Sequence, residues 1–163
     1  MAYEEEGGMI KEPNSLDMLI RHETTIKQLY EVFADVFPEH RAFWQGMAAE
    51  EQKHSDCLQG LSSNESLKKW FMNDGPFQQL AFSGALEYMK RQIERVRKAN
   101  IGLLEALSIA GDIEEALIEK QFIRLNISGP TEIKNVMKGL VADTQRHRKI
   151  IAEKLAFHKR ARQ

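Results

Sequence analysis

A carboxylate and an imidazole lie on the apolar face of one predicted helix. Glu51 and His54 are three residues apart, so on a helix their side chains project from the same face, one turn apart. Helical spacing places five large apolar residues on that face: Phe43, Trp44, Met47, Leu58 and Leu61. Because an unpaired charge is costly to bury, the fold must supply partners for both groups. A bound metal cation would be such a partner.

The composition is typical of one soluble globular domain. The chain has 163 residues, of which 42% are hydrophobic and 29% charged, enough for one domain with a full core. The net charge of −1 and the lack of a basic patch with interleaved aromatics argue against a nucleic-acid partner. No apolar run is long enough for a membrane span, and the N-terminus lacks the plan of a signal peptide. We therefore expect a cytoplasmic protein with no membrane partner.

Apolar residues recur every three or four positions through most of the chain, and no sustained alternation typical of strands occurs. This pattern predicts an all-α fold. We expect a flexible acidic N-terminus over residues 1–12 and one helical bundle domain over residues 13–163. Turn and capping residues divide the helices at five places: Pro38, Gly60, Gly75-Pro76, Gly102 and Gly129-Pro130.

Polar residues interrupt the apolar stripes of three other helices. Glu23 lies on the first stripe, Glu114 on that of the penultimate helix and His147 on that of the last. The interval from Glu23 to His54 nearly equals that from Glu114 to His147, so the chain divides into two similar helical hairpins. Residues 61–101 would form a long, partly helical crossover between them. An antiparallel four-helix bundle of these hairpins would bring five side chains to one centre: Glu23, Glu51, His54, Glu114 and His147.

Three segments resemble a known family in their order and spacing. They are Glu23 with Tyr30 seven residues later, Ala49-Glu50-Glu51-Gln52-Lys53-His54, and Ala106-Leu107-Ser108-Ile109-Ala110 leading to Glu114. Through them the chain resembles, over about residues 15–157, the ferritin-like superfamily and within it the rubrerythrin-type di-iron proteins. The resemblance implies iron, as one or two ions with manganese or zinc as substitutes, and an oxidoreductase that reacts with peroxide or dioxygen.

The last helix departs from the family pattern at Thr144. The pattern has Glu-x-x-His there, whereas Thr144 stands three residues before His147. Asp143 is adjacent, but its side chain points about 100° away around the helix. We expect a weaker or empty site near His147 and a complete site elsewhere. The complete site would consist of Glu23, Glu51 and His54, with Glu114 shared.

Several alternatives stay open from the sequence. Glu51 and His54 would otherwise be a helix surface pair, and His147 a core histidine bonded to a neighbour. Tyr30 is interpreted either as a donor or radical relay beside the metal, or as a core aromatic with its hydroxyl satisfied. His22, His40 and His158 are expected to be peripheral, and Cys57 to be a small core residue: these four lie outside the predicted centre.

Two functions of different classes follow. A redox-active centre would need an external electron donor, because typical rubrerythrins carry a cysteine-rich iron domain and this chain has only Cys57. The alternative is a degenerate site that binds one metal or none, in a binding or structural scaffold. Iron storage in a shell is a third possibility within the superfamily. A homodimer that exchanges hairpins would assemble the same ligands.

Overall fold

The computed structural model describes residues 14–73, 79–125 and 129–162, apart from the side chains of residues 72–73, 79–82 and 118–125. Over these residues the chain forms helices and no strand, which confirms the all-α prediction. The elements are α1 (Ser15–Val36), a short 3₁₀ turn (Pro38–His40), α2 (Arg41–Ser62), α3 (Glu65–Asn73), α4 (Gln79–Lys98), α5 (Leu103–Leu125) and α6 (Thr131–Arg160). None of the helices in these ranges is long and apolar enough to cross a bilayer. The predicted flexible segment 1–12 lies outside the described residues.

The first helical hairpin is defined by its capping and turn residues. Asn14 caps α1: its side-chain oxygen accepts from the Asp17 amide at 2.9 Å, and the Asp17 carboxylate accepts from the Asn14 amide at 3.2 Å. α1 ends before Pro38, which opens the 3₁₀ turn that leads directly into α2. Because the connection is so short, α1 and α2 pack side by side in opposite directions.

The helices pack in two pairs that meet through α2 and α6. α1 packs against α2 and α4, α5 packs against α6, and α2 also meets α6. An aromatic cluster fills one part of the interior, where the Trp44 ring lies 5.5 Å from that of Tyr30 and 4.7 Å from that of Phe33. α3 and α4 occupy the region predicted as a partly helical crossover. The ferritin-like arrangement of the other four helices stays a prediction.

Two predictions about residues outside the centre were wrong. Cys57 is exposed and not part of the core. His22 is buried, with 2% of its surface exposed, although it was expected to be peripheral. α4 packs along α1 and helps to cover His22, and this contact between distant segments leaves no mark in the pattern of α1 itself. His40 and His158 lie at helix ends and belong to neither candidate metal group, and their rings pack edge to face at 5.1 Å.

Candidate metal centre

The five predicted ligands meet in the interior. Glu23 comes from α1, Glu51 and His54 from α2, Glu114 from α5 and His147 from α6, so four helices contribute. All five side chains are buried, and His54 has the largest exposed fraction at 4%. They form two groups of three whose potential ligand atoms all lie within 4.8 Å of one another. One group is Glu23, Glu51 and His54, and the other is Glu51, Glu114 and His147. These buried groups could hold a metal ion.

Glu51 is the residue that the two groups share. Its Oε2 lies 3.0 Å from Nδ1 of His54, and its Oε1 lies 2.9 Å from Nδ1 of His147. Glu114 was expected to be the shared residue; instead it lies with His147, its Oε1 3.5 Å from Nδ1 of that ring. The difference arises because Glu51 faces α6 across the interior, so that its two oxygens reach the histidines of both helices. The group at His147 thus has as many ligands as the group at His54.

Two buried carboxylate oxygens at the centre, Oε1 of Glu23 and Oε2 of Glu114, lack a hydrogen-bond partner among the described residues. The other inward-facing atoms lie in ion pairs: Oε2 of Glu23 is 3.5 Å from Nδ1 of His54, and Oε1 of Glu51 is 2.9 Å from Nδ1 of His147. Buried polar atoms in folded proteins are almost always paired, because leaving one unpaired is unfavourable. A cation in either group of three would contact these oxygens together with the Nδ1 atom of a histidine. The donor set therefore fits a metal ion.

Burial and mutual contacts shift the pKa values of the groups at the centre. Burial raises the pKa of Glu23 to about 7. Burial alone would lower the pKa of His54, but hydrogen bonds with Glu23 and Glu51 outweigh it and raise that pKa to about 11. The pKa of His147 is raised in the same way: burial alone would lower it, but hydrogen bonds with Glu114 and Glu51 outweigh burial and raise it to about 10. Without a metal, each ring therefore carries a second proton, which partly neutralises the carboxylates.

Two further carboxylates, which the sequence analysis did not assign to the site, contact the outer edges of the histidines. Nε2 of His54 lies 3.3 Å from Oδ2 of Asp143, and Nε2 of His147 lies 2.7 Å from Oε2 of Glu50. The pKa of Glu50 is about 2, mainly because Arg146 donates hydrogen bonds to it, so this carboxylate is ionised and can only accept. Each Nε2 is thus a donor, and Nδ1 faces the interior. Glu50 beside Glu51, and Asp143 four residues before His147, were the only signals in the sequence.

Tyr30 contacts the centre through a partner on another helix. Its hydroxyl donates to Oε1 of Glu114 at 2.5 Å, and the ring is fully buried. Burial, followed by the charges of Glu114 and Glu51, raises the pKa of Tyr30 well above its usual value. The phenol therefore keeps its proton and donates a hydrogen bond to one oxygen of Glu114. This contact matches the interpretation of Tyr30 as a hydrogen-bond donor beside the candidate ligands. A radical role stays a prediction.

Thr144 contributes no atom to either group. It is buried, with 1% of its surface exposed, and its hydroxyl donates to the carbonyl oxygen of Leu140 at 2.8 Å. This bond within α6 satisfies the hydroxyl locally. The position that carries a carboxylate in the family pattern is thus occupied by a side chain that turns to its own helix.

No protein-family model matches the chain, and no curated protein and no solved structure matches it either. The resemblance to rubrerythrin-type proteins therefore remains a prediction from the sequence, and the site is defined by its own geometry.

Metal binding should release protons from this centre. A metal ligated by Nδ1 displaces the proton that each ring carries there, so we expect about two protons from the two histidines at neutral pH. Glu23, with a pKa of about 7, should add about half a proton when it is ligated. Because the pKa values of His54 and His147 lie near 11 and 10, the apparent affinity should rise with pH throughout the neutral range. Calorimetric titration with Zn²⁺ in two buffers of different ionisation enthalpy measures the release.

The matched control is His158→Gln, which removes a histidine that packs against His40 and leaves the five ligands intact. It should release as many protons as the parent. Heats that do not depend on the buffer would contradict ligation by the histidines.

Proposed function

We propose that this protein binds two divalent transition-metal ions, iron in its working state, at the centre shared by α1, α2, α5 and α6. The observation that carries the proposal is the shared carboxylate. Glu51 places one oxygen beside each of two inward-facing histidine nitrogens, 3.0 Å and 2.9 Å away. One more buried glutamate completes each group: Glu23 in the group of His54, and Glu114 in the group of His147. Two ions with one bridging ligand would use every member of the set.

The ligand chemistry favours iron or manganese, and the choice of iron rests on the resemblance to rubrerythrin-type proteins. Carboxylate oxygen and imidazole nitrogen in one site suit iron and manganese, and zinc binds the same donors as a frequent substitute. The centre contains no thiolate, because the single cysteine, Cys57, is exposed and lies outside both groups. Soft-metal chemistry of the kind that sulfur ligands select is therefore not what these residues favour.

The redox part of the proposal rests on the resemblance to rubrerythrin-type proteins. Iron held here would supply one-electron chemistry towards peroxide or dioxygen. The chain itself would bury the centre, orient the histidines through Asp143 and Glu50, and keep a proton on Tyr30 next to Glu114. These 163 residues contain one cysteine, so the proposal assigns the supply of electrons to an external donor protein or small reductant. A cytoplasmic location and a homodimer are part of the same expectation.

Thr144 favours a second candidate function. With no carboxylate at this position, the centre has one ligand fewer than the family pattern, and the Thr144 hydroxyl is bonded to its own helix. A centre that holds one ion, or none, would make the protein a binding or structural scaffold. The two candidates differ in metal stoichiometry and in reactivity with peroxide.

Substitution of the shared glutamate tests metal binding most sharply. Glu51→Gln should weaken both sites, because the amide keeps the shape but loses the charge that faces both rings. Glu23→Gln and Glu114→Gln should each weaken one site and leave about one ion per chain, by the division of ligands between the groups. Anaerobic titration with Fe²⁺ or Co²⁺ measures stoichiometry and affinity.

The control for this series is Glu31→Gln, which removes an exposed glutamate of α1 that pairs with Lys27 and should change nothing at the centre. Equal effects of all four substitutions, or a parent protein that binds no metal, would contradict the proposal. A parent that binds one ion would support the second candidate.

Reaction with peroxide separates an enzyme from a scaffold. We expect ferrous-loaded protein to be oxidised by hydrogen peroxide faster than free ferrous iron. Each of two ferrous ions would give up one electron, and the peroxide would be reduced to two water molecules with the uptake of two protons from solvent. Stopped-flow absorbance follows the ferric product. The same amount of iron with Glu51→Gln is the control for iron bound elsewhere. A rate equal to that of this variant would contradict the oxidoreductase reading.

A further inference from the structure

Arg146 lies on the outer side of the centre and contacts the two carboxylates that hold the histidines. Its Nη1 and Nη2 donate to the two oxygens of Glu50 at 3.2 Å and 2.8 Å, a bidentate pair. The same Nη2 donates to Oδ1 of Asp143 at 2.7 Å. One guanidinium therefore bridges a carboxylate of α2 and a carboxylate of α6.

The two carboxylates reach across the helix interface in opposite directions. Glu50 on α2 accepts from His147 on α6, whereas Asp143 on α6 accepts from His54 on α2. A small polar pocket of about 140 Å³ lies on this side and is lined by Glu50, Lys53, His54, Asp143 and Arg146. The contacts of the carboxylates with the histidines are partly buried, whereas those with Arg146 are exposed, and 47% of the Arg146 side chain is exposed. A solvated carboxylate of this kind is free to turn away from a ring unless another group fixes it.

We propose that Arg146 is a positioning residue that sets both histidines for metal binding at the same time. The inference rests on the proposed metal centre. Arg146 fixes Glu50 and Asp143, and each carboxylate then holds one Nε2 proton, so that the lone pair of each Nδ1 faces the ions. The two metal sites are thereby linked on their outer side by Arg146, as they are linked on the inside by Glu51.

The shape of the guanidinium explains why an arginine stands at this position. Its planar fork donates from two nitrogens to one carboxylate while one of them also reaches the second. A lysine ammonium is a compact point charge and cannot reproduce the two parallel bonds to Glu50. Arg146→Lys should therefore recover only part of the effect, although it keeps the charge.

The contacts of Arg146, Glu50 and Asp143 predict a specific pattern of losses in metal affinity on substitution. Glu50→Gln should weaken only the site of His147, and Asp143→Asn only the site of His54, because each carboxylate contacts one ring. Arg146→Met should weaken both. Loss of such outer contacts typically lowers metal affinity by about 10- to 100-fold.

A neighbouring arginine provides a matched control. Arg148 is also on α6, is half-exposed, and pairs with Glu115 on α5. Arg148→Met removes an ion pair of the same kind between helices without touching the carboxylates beside the histidines. We expect Zn²⁺ affinities within about twofold of the parent for this variant, by the small effect of exposed ion pairs.

The experiment combines Zn²⁺ affinity, measured by chelator competition, with ¹⁵N NMR of the histidine rings in the zinc-loaded protein. In the parent we expect Nδ1 ligated and Nε2 protonated in both rings. In Arg146→Met we expect weaker binding at both sites and faster exchange of both Nε2 protons, a signature that a general loss of stability would not give. Thermal unfolding of the metal-free variants shows whether each one folds, and Arg146→Lys serves if Arg146→Met does not.

Three results would overturn the inference. If the Arg146→Met variant binds Zn²⁺ as tightly as the parent and retains both Nε2 protons, Arg146 is not a positioning residue, although the proposed metal centre would still stand. Equal weakening in Arg148→Met would show that only bundle stability matters. A parent protein that binds no Zn²⁺ and no Fe²⁺ would overturn the proposed function and this inference with it.

Discussion

The interaction on which the interior depends is that of one buried carboxylate with two imidazoles. Glu51 has no exposed surface, and its two oxygens lie 3.0 Å from His54 and 2.9 Å from His147. A buried carboxylate is unfavourable unless its charge is matched. The match comes here from two helices, α2 and α6, so the pairing of the hairpins and the chemistry of the centre depend on the same contacts. Protons can supply the positive charge, and a metal can replace them.

The centre is supported from both sides. Glu23 and Glu114 extend the inner set from α1 and α5, and Tyr30 fixes one oxygen of Glu114 by donating to it. On the outer side, Glu50 and Asp143 hold the Nε2 edges of the histidines. Ligands need such partners, because a ring that rotates freely presents the wrong nitrogen for much of the time. Both histidines are therefore contacted by carboxylates on their inner and outer edges.

The sequence predicted these candidate ligands because each one breaks an apolar stripe with helical spacing. That signal is local, and it found Glu23, Glu51, His54, Glu114 and His147 and the all-α class without any contact map. It could not assign Glu51 as the shared residue, which depends on how α2 faces α6. It also missed the burial of His22, which depends on α4. Spacing along one helix says which residues share a face, but not which partner that face meets.

Anomalous diffraction from crystals of the iron-loaded protein tests the central claim most directly. Data collected on both sides of the iron absorption edge locate each ion without any assumption about function. The account predicts two peaks inside the bundle, one near His54 and one near His147, on either side of Glu51. An anomalous map with no peak at Glu51, or with iron only on the surface, would contradict it.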